Sequence, residues 1–180
     1  MRRAGLWISI VCGLLVLVGC GGSDGSSACG LVSDREAERL LGVAVRPAAE
    51  DDDDQGPGST CEWISRDSSR EPEAAVYGFY IADSTDGDAR ARFRATRTEP
   101  SDVSVVEPVA DLGDEAYFVV FTEPTSTGMP SLPYLQVRLG DRVVQVGTFD
   151  SDDRPVSAAD ARTLEVEAAE LALGRLAADD

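Results

Sequence analysis

Hydrophobic positions fall along this chain in three patterns, and each predicts a different kind of structure. An unbroken apolar run from Ala4 to Gly19, sixteen residues without a charge, comes first. From Cys61 the apolar positions recur with period two: Cys61 and Trp63, then Ala75, Tyr77, Phe79 and Ile81 alternating with Val76, Gly78 and Tyr80. That alternation predicts two strands. Val103, Val105 and Val106 begin a further strand, followed by Ala116 to Thr122, Tyr134 to Leu139 and Arg142 to Phe149. Gly140-Asp141 suits a tight hairpin turn between the last two.

The third pattern is helical. Ser33-Asp34-Arg35-Glu36 reads as a capping box, with Leu31 and Val32 before it, Leu40 and Leu41 after it and Gly42 placed to end the helix. Asp86 to Arg97 has helix-like composition around Ala89 and Phe93, and Pro100 closes it. Ser157-Ala158-Ala159-Asp160 opens a last helix whose Leu164, Ala168, Leu171, Ala172 and Leu176 share one broad apolar side, expected to lie against the sheet. Antiparallel strands with a helix at each end and one inserted predict an α+β domain, with a sheet of about five to six strands and packed N-terminal, middle and C-terminal helices. Glu50 through Gly58, with Asp51 to Asp54 in a row, and Glu123 through Pro133 read as loops. No internal repeat is visible.

The opening run is an address. Arg2 and Arg3 precede it and Cys20-Gly21-Gly22-Ser23 ends it, which is a signal-peptide layout. It is shorter than the ~18 to 20 residues of a membrane-crossing helix and lacks a basic stop-transfer flank. Leu17-Val18-Gly19-Cys20 resembles a bacterial lipobox, in which the thiol receives diacylglycerol before cleavage. Residues 1–19 are then a lipoprotein signal, residues 20–28 an acylated Cys20 with a Gly/Ser tether, and residues 29–180 a single domain. Each buried methylene contributes roughly 0.8 kcal/mol, so two acyl chains hold durably where one does not. The expected location is the extracytoplasmic face of the plasma membrane. The Arg2-Arg3 pair lacks the wider context of a twin-arginine signal, and the choice between that route and the general secretory one stays open.

Four cysteines divide accordingly. Cys12 lies in the signal and Cys20 carries lipid, leaving Cys29 and Cys61 in the exported domain, where two cysteines suggest one disulfide. Its 32-residue separation corresponds to roughly 3 to 4 kcal/mol in the chain-entropy model. The alternative, a redox or metal pair, is poorly served by two distant thiols with no His to complete a site.

Composition narrows the chemistry. The 180 residues contain no His, no Lys and no Asn, and all 16 basic residues are Arg against 33 acids, a net charge of −17. Imidazole- and amine-based catalysis is excluded, as is His-ligated zinc. Gly21-Gly22-Ser23-Asp24-Gly25 fits the nucleophile-elbow pattern but has no strand before it and no His to act as base. Asp51 to Asp54 could hold calcium loosely or be a solvated loop. The calcium-loop pattern fails from Asp150, where Pro155 and Ala161 replace its Gly and Glu, and from Asp83, where Asp88 replaces the Gly. No metal, cofactor or catalytic residue is assigned. Glu107, Asp114 and Glu115 lie near strand ends and are the candidates for a carboxylate-based hydrolase.

Arg90, Arg92, Arg94 and Arg97 form the only basic concentration, suited either to phosphates of lipid or an acidic polymer, or to pairing with the chain's own acids. Nucleic acid is not expected at this net charge. Most aromatics, Trp63, Tyr77, Phe79, Tyr80, Tyr117, Phe118, Phe121, Tyr134 and Phe149, fall on strands and Phe93 on the middle helix. They suit a core, or in part a pocket for an apolar ligand.

Cys29-Gly30-Leu31-Val32-Ser33, Leu41-Gly42, Cys61-Glu62-Trp63 and Asp111-Leu112-Gly113-Asp114-Glu115-Ala116-Tyr117 resemble a widespread family of actinobacterial lipoproteins of unknown function. The resemblance runs from Cys29 to about Phe149. It departs at Gly30 to Ser33, where that family more often has Leu-Leu-Thr, and in the Asp51 to Asp54 insertion. It implies a Cys29–Cys61 disulfide, a sheet with packed helices in a sandwich-like α+β arrangement, and an envelope location, and it supplies no reaction. The functional expectation is a membrane-anchored, non-enzymatic module that binds an apolar or amphipathic ligand, with no ligand-binding residue identified. A lipid or an envelope protein is the candidate partner. The alternatives are an envelope protein-interaction or sensing module and the hydrolase.

Overall fold

The computed structural model describes residues 27–46, 49–51, 58–65, 77–85, 87–98, 104–123, 132–150 and 156–179. The elements in chain order are α1 (Ala28–Leu31), α2 (Asp34–Leu41), β1 (Ala49–Asp51), β2 (Gly58–Ile64), β3 (Tyr77–Ser84), α3 (Gly87–Thr98), β4 (Ser104–Val109), β5 (Glu115–Phe121), β6 (Tyr134–Leu139), β7 (Arg142–Asp150) and α4 (Ala158–Asp179). The strands form one antiparallel sheet in the order β1-β2-β3-β7-β6-β5-β4. The α+β class is as the pattern predicts. The helices cover both faces of a single sheet, α1, α2 and α4 on one and α3 on the other.

The sheet has seven strands because β1 occupies residues read from sequence as the start of an acidic loop. Ala49 pairs with Glu62 and Asp51 with Thr60. Three residues of poor strand propensity extend because β2 offers them a free hydrogen-bonding edge, a case of tertiary context overriding composition. Asp52 to Asp54 lie outside the described residues. At the N-terminus the domain takes in residues assigned by composition to the tether. Ala28 is 0% exposed, and its N–H donates to Ser59 Oγ at 2.7 Å.

Strand alternation divides the sheet into two faces. One presents Cys61, Trp63, Phe79, Ile81, Phe118, Leu135, Val137, Val144 and Val146, and packs against α1, α2 and α4. The face of α4 that meets it is built largely from alanine: Ala161, Leu164, Ala168, Ala169, Ala172 and Leu176 are buried, whereas Leu171 is half-buried at its margin. Both capping motifs form. Ser33 donates its N–H (2.9 Å) and hydroxyl (2.5 Å) to Glu36 Oε2, and the Ser157 hydroxyl accepts from the Asp160 N–H at 3.1 Å. Arg175 near the end of α4 ion-pairs with Glu36 and donates to the Leu31 carbonyl, tying the C-terminal helix to the first two. The Ser33 hydrogen bonds first, and Arg175 with them, hold the Glu36 carboxyl down at about 2. Cys29 and Cys61 are joined in a disulfide with their Cα atoms 5.0 Å apart, which links α1 to β2.

Two glycines let β3 and β7 pair closely. Gly78 lies opposite Phe149, and Gly147 opposite Tyr80, so each aromatic ring covers the bare backbone of the other strand. A Cβ at Gly78 would stand 2.5 Å from both the Phe149 ring and the Trp63 carbonyl oxygen. The carbonyl belongs to a paired strand and cannot yield. Gly78→Ala should therefore lower stability by about 1 to 3 kcal/mol, the usual range for overpacking. Urea unfolding monitored by tryptophan fluorescence checks this, and an unchanged midpoint would show that the strands separate freely there.

Candidate functional site

The second face of the sheet is mixed. Its centre carries Tyr117 on β5, Gln136 on β6 and Gln145 on β7, which the register places directly across from one another. Tyr80 on β3 stands one diagonal step further, over Gly147. The four side chains join across four strands: the Tyr117 hydroxyl donates to Gln136 Oε1 at 2.7 Å, Gln136 Nε2 to Gln145 Oε1 at 3.1 Å, and Gln145 Nε2 to the Tyr80 hydroxyl at 2.8 Å. Tyr117 also faces the Phe93 carbonyl of α3 at 2.6 Å, so its single proton serves two acceptors. Burial pushes the Tyr80 and Tyr117 phenols above their ordinary range, which keeps both protonated as hydrogen-bonding groups.

Helix α3 covers part of this face. Ala89 and Phe93 pack on Tyr117, Val119 and Val143, with the Phe93 and Tyr117 ring centroids 4.7 Å apart. Between α3 and the sheet lies a cavity of about 170 Å³. Its floor is Ala82, Ser84, Gln136, Val143 and Gln145, and its wall is Ala89, Arg92 and Phe93. Each carboxamide has two N–H groups and two carbonyl lone pairs. The ladder engages one of each at Gln136 and at Gln145, so both side chains retain one donor and one acceptor where they line the cavity.

The residues singled out by sequence fall elsewhere. Glu107 pairs with Arg162 of α4 at 2.5 Å, and the hydrogen bond from Arg162 lowers its carboxyl pKa. Asp114 pairs with Arg138 at 3.0 Å and accepts from the Gly140 N–H at 2.8 Å, while Glu115 pairs with Arg97. These carboxylates are engaged by arginines rather than set against one another across a cleft. Of the basic cluster, Arg90 pairs with Asp141 at 2.6 Å and Arg97 with Glu115, as the acid surplus predicts. The strand aromatics are divided: Trp63, Phe79 and Phe118 are core, and among the described residues the one aromatic that lines the cavity is Phe93 on α3. Among the described residues no group of three or more acidic or cysteine side chains is gathered as metal ligands, and no helix is long and apolar enough to cross a membrane. Cys20 lies outside the described residues.

One carboxyl missed by the sequence reading is strongly perturbed. Glu165 sits in the apolar stripe of α4, 0% exposed, and its Oε1 accepts the Thr148 N–H at 2.9 Å while Oε2 has no partner. Burial is the main cause that pushes its pKa up to about 8, against the lowering effect of the Thr148 contacts and of Arg162 one turn away. It faces β7 on the apolar side of the sheet and does not line the cavity. The nearest sequence signal was its position, since residue 165 falls between Leu164 and Ala168 on the inward side of the helix.

Comparison with protein-family models, with curated proteins and with solved structures finds no match in any of the three.

The buried carboxyl gives a signed pH dependence. Its folded value of about 8 stands above the ordinary 4.5, so the stability it contributes is complete below pH 4.5 and is lost as pH rises through 8. With no His in the chain, ordinary side chains leave the interval from about pH 5 to 8 empty. Denaturant unfolding at pH 5 and pH 8.5 should show a loss of a few kcal/mol, and Glu165→Gln should abolish most of that loss. A variant whose stability falls in parallel with the parent would contradict this assignment.

Proposed function

We propose that the protein is an extracytoplasmic lipoprotein, held on the plasma membrane by acyl chains on Cys20, whose domain is a non-enzymatic binding module with its site between α3 and the sheet. The observation that carries the binding reading is the cavity floor, where Gln136 and Gln145 are positioned by the ladder yet keep hydrogen-bonding capacity. Its volume of about 170 Å³ is close to the roughly 150 Å³ that encloses a benzene ring and well below the roughly 300 Å³ at which drug-sized pockets begin. That favours a single-ring amphipathic molecule over the acyl chain of a lipid. Envelope location is supported by the signal layout, the lipobox residues and a disulfide of the kind that persists in oxidising compartments. Membership of the actinobacterial lipoprotein family is part of the same proposal and rests on the quoted motifs.

A second reading, a protein-interaction module, is favoured by one feature. Among the described residues, Val105 on the sheet's edge strand β4 and Phe121 on its neighbour β5 are the exposed large hydrophobics, at 44% and 38%. The register points the two to opposite faces, and β4, the last strand in the sheet order, suits strand addition by a partner.

Two measurements test the main reading. Cys20→Ala should move the protein from the membrane to the soluble fraction and remove palmitate label; persistent membrane association would refute the anchor. Native mass spectrometry of the purified protein should show a small bound species that is absent from Ala82→Leu, which fills the cavity. A clean apo mass in both would turn attention to the β4 edge.

A further inference from the structure

The end of β7 is held by a side chain where a strand would otherwise hold it. Strand β6 begins at Tyr134, which the register sets opposite Gly147, and Pro133 precedes it. Over residues 148–150, β7 therefore has a strand neighbour among the described residues on its β3 side alone. Glu165 of α4 takes the missing neighbour's place, its Oε1 accepting the Thr148 N–H at 2.9 Å. The residue is 0% exposed, and both its Oε2 and the Thr148 Oγ1 are buried without a partner. Charged groups nearby are engaged elsewhere. On the same helix, Arg162 pairs with Glu107 and lies over the Phe118 ring. Asp150, on the same face of β7, accepts the Val156 N–H at 2.7 Å, and the Tyr80 phenol acts from the far face of the sheet.

We infer that Glu165 is a proton-operated latch: protonated, it holds the end of β7 against the first half of α4, and ionised, it releases that contact while the rest of the fold stays closed. A protonated carboxyl still accepts the Thr148 N–H and gains a donor, for which the unpartnered Thr148 hydroxyl is an acceptor. An ionised carboxylate has about four lone-pair sites, and Thr148 offers it only an N–H and a hydroxyl. The remainder would be buried unpaired in an apolar interface, and opening returns the charge to water. The raised pKa of about 8 agrees in direction, since the open form recovers the ordinary 4.5. The second half of α4 is fastened separately, by Arg175 to Glu36 and to the Leu31 carbonyl, which confines the release. Thr148 directly follows Gly147, the seat of Tyr80, so the latch also steadies the last member of the Tyr–Gln ladder on the other face.

Native-state hydrogen exchange on the purified full chain, read residue by residue at several low urea concentrations, tests this. Protection of the Thr148 amide should fall about tenfold per pH unit between about pH 5 and 7.5 and level off above about pH 8, because the open form releases a proton that the closed form keeps. That amide should stay less protected than those of β2 at every pH and respond little to urea, as a local opening requires. Glu165→Gln, which keeps the acceptor and cannot ionise, should make Thr148 protection independent of pH. Thr148 protection equal to that of β2, with the same urea dependence, would mean that the carboxyl ionises only when the whole domain unfolds, and overturns the latch. A pH dependence that persists in Glu165→Gln overturns it too. If that variant does not fold, the carboxyl carbon resonance of Glu165 in the parent decides: a titration midpoint near 8 supports the latch, and one below about 6 overturns it.

Discussion

The pairing of β3 with β7 is the constraint on which the rest of the structure depends. It zips the β1-β2-β3 meander onto the β4-β5-β6-β7 meander, joining residues 77–84 to residues 143–150. Without it neither face of the sheet is continuous. The closely fitting Gly78–Phe149 and Tyr80–Gly147 pairs set its register from one end. At the other, buried Asp83 meets the Arg142 guanidinium through two hydrogen bonds. A slip by one residue would send every side chain of the slipped strand to the wrong face, so these three fittings specify far more than their local contacts. The candidate site is a product of the same seam, since Ala82 and Ser84 come from one side of it and Val143 and Gln145 from the other.

The two faces created by that seam have different compositions for a physical reason. The face under α4 is closed by a long helix lined with alanine, and its strand residues are correspondingly apolar. The face under α3 is met by a twelve-residue helix, and its strands carry Tyr and Gln that satisfy one another across the sheet. A connected polar network tolerates partial solvent access where an apolar core would not, and it fixes rotamers that would otherwise be free. The same network is what leaves oriented amides beside an unfilled volume.

Much of this was legible in the residues. The capping box at Ser33, the cap at Ser157, the hairpin at Gly140-Asp141, the α+β class and the Cys29–Cys61 pairing all follow from local signals. The Gln136–Gln145 pair was legible too: counting outward from the Gly140-Asp141 turn places the two opposite each other. What local patterns do not carry is which side of the sheet each helix takes, and so the cavity was out of reach. β1 was missed because its partner edge, and not its own composition, makes it a strand. Glu165 was missed because a charged residue in an apolar stripe reads as a boundary of that stripe, and only the packing of α4 on β7 shows that it lies inside.

The disulfide has a mechanical consequence. Cys29 is the second residue of α1, and Cys61 lies within β2. Tension applied upstream of Ser27 enters the domain at Cys29 and passes through a covalent bond to Cys61. Residues 30 to 60, with α2 and β1 among them, lie in a bypassed loop that bears no load while the bond is intact. A pull on the tether therefore reaches the sheet at β2 without first peeling away the N-terminal helices, and a reducing environment would remove that protection at a single point.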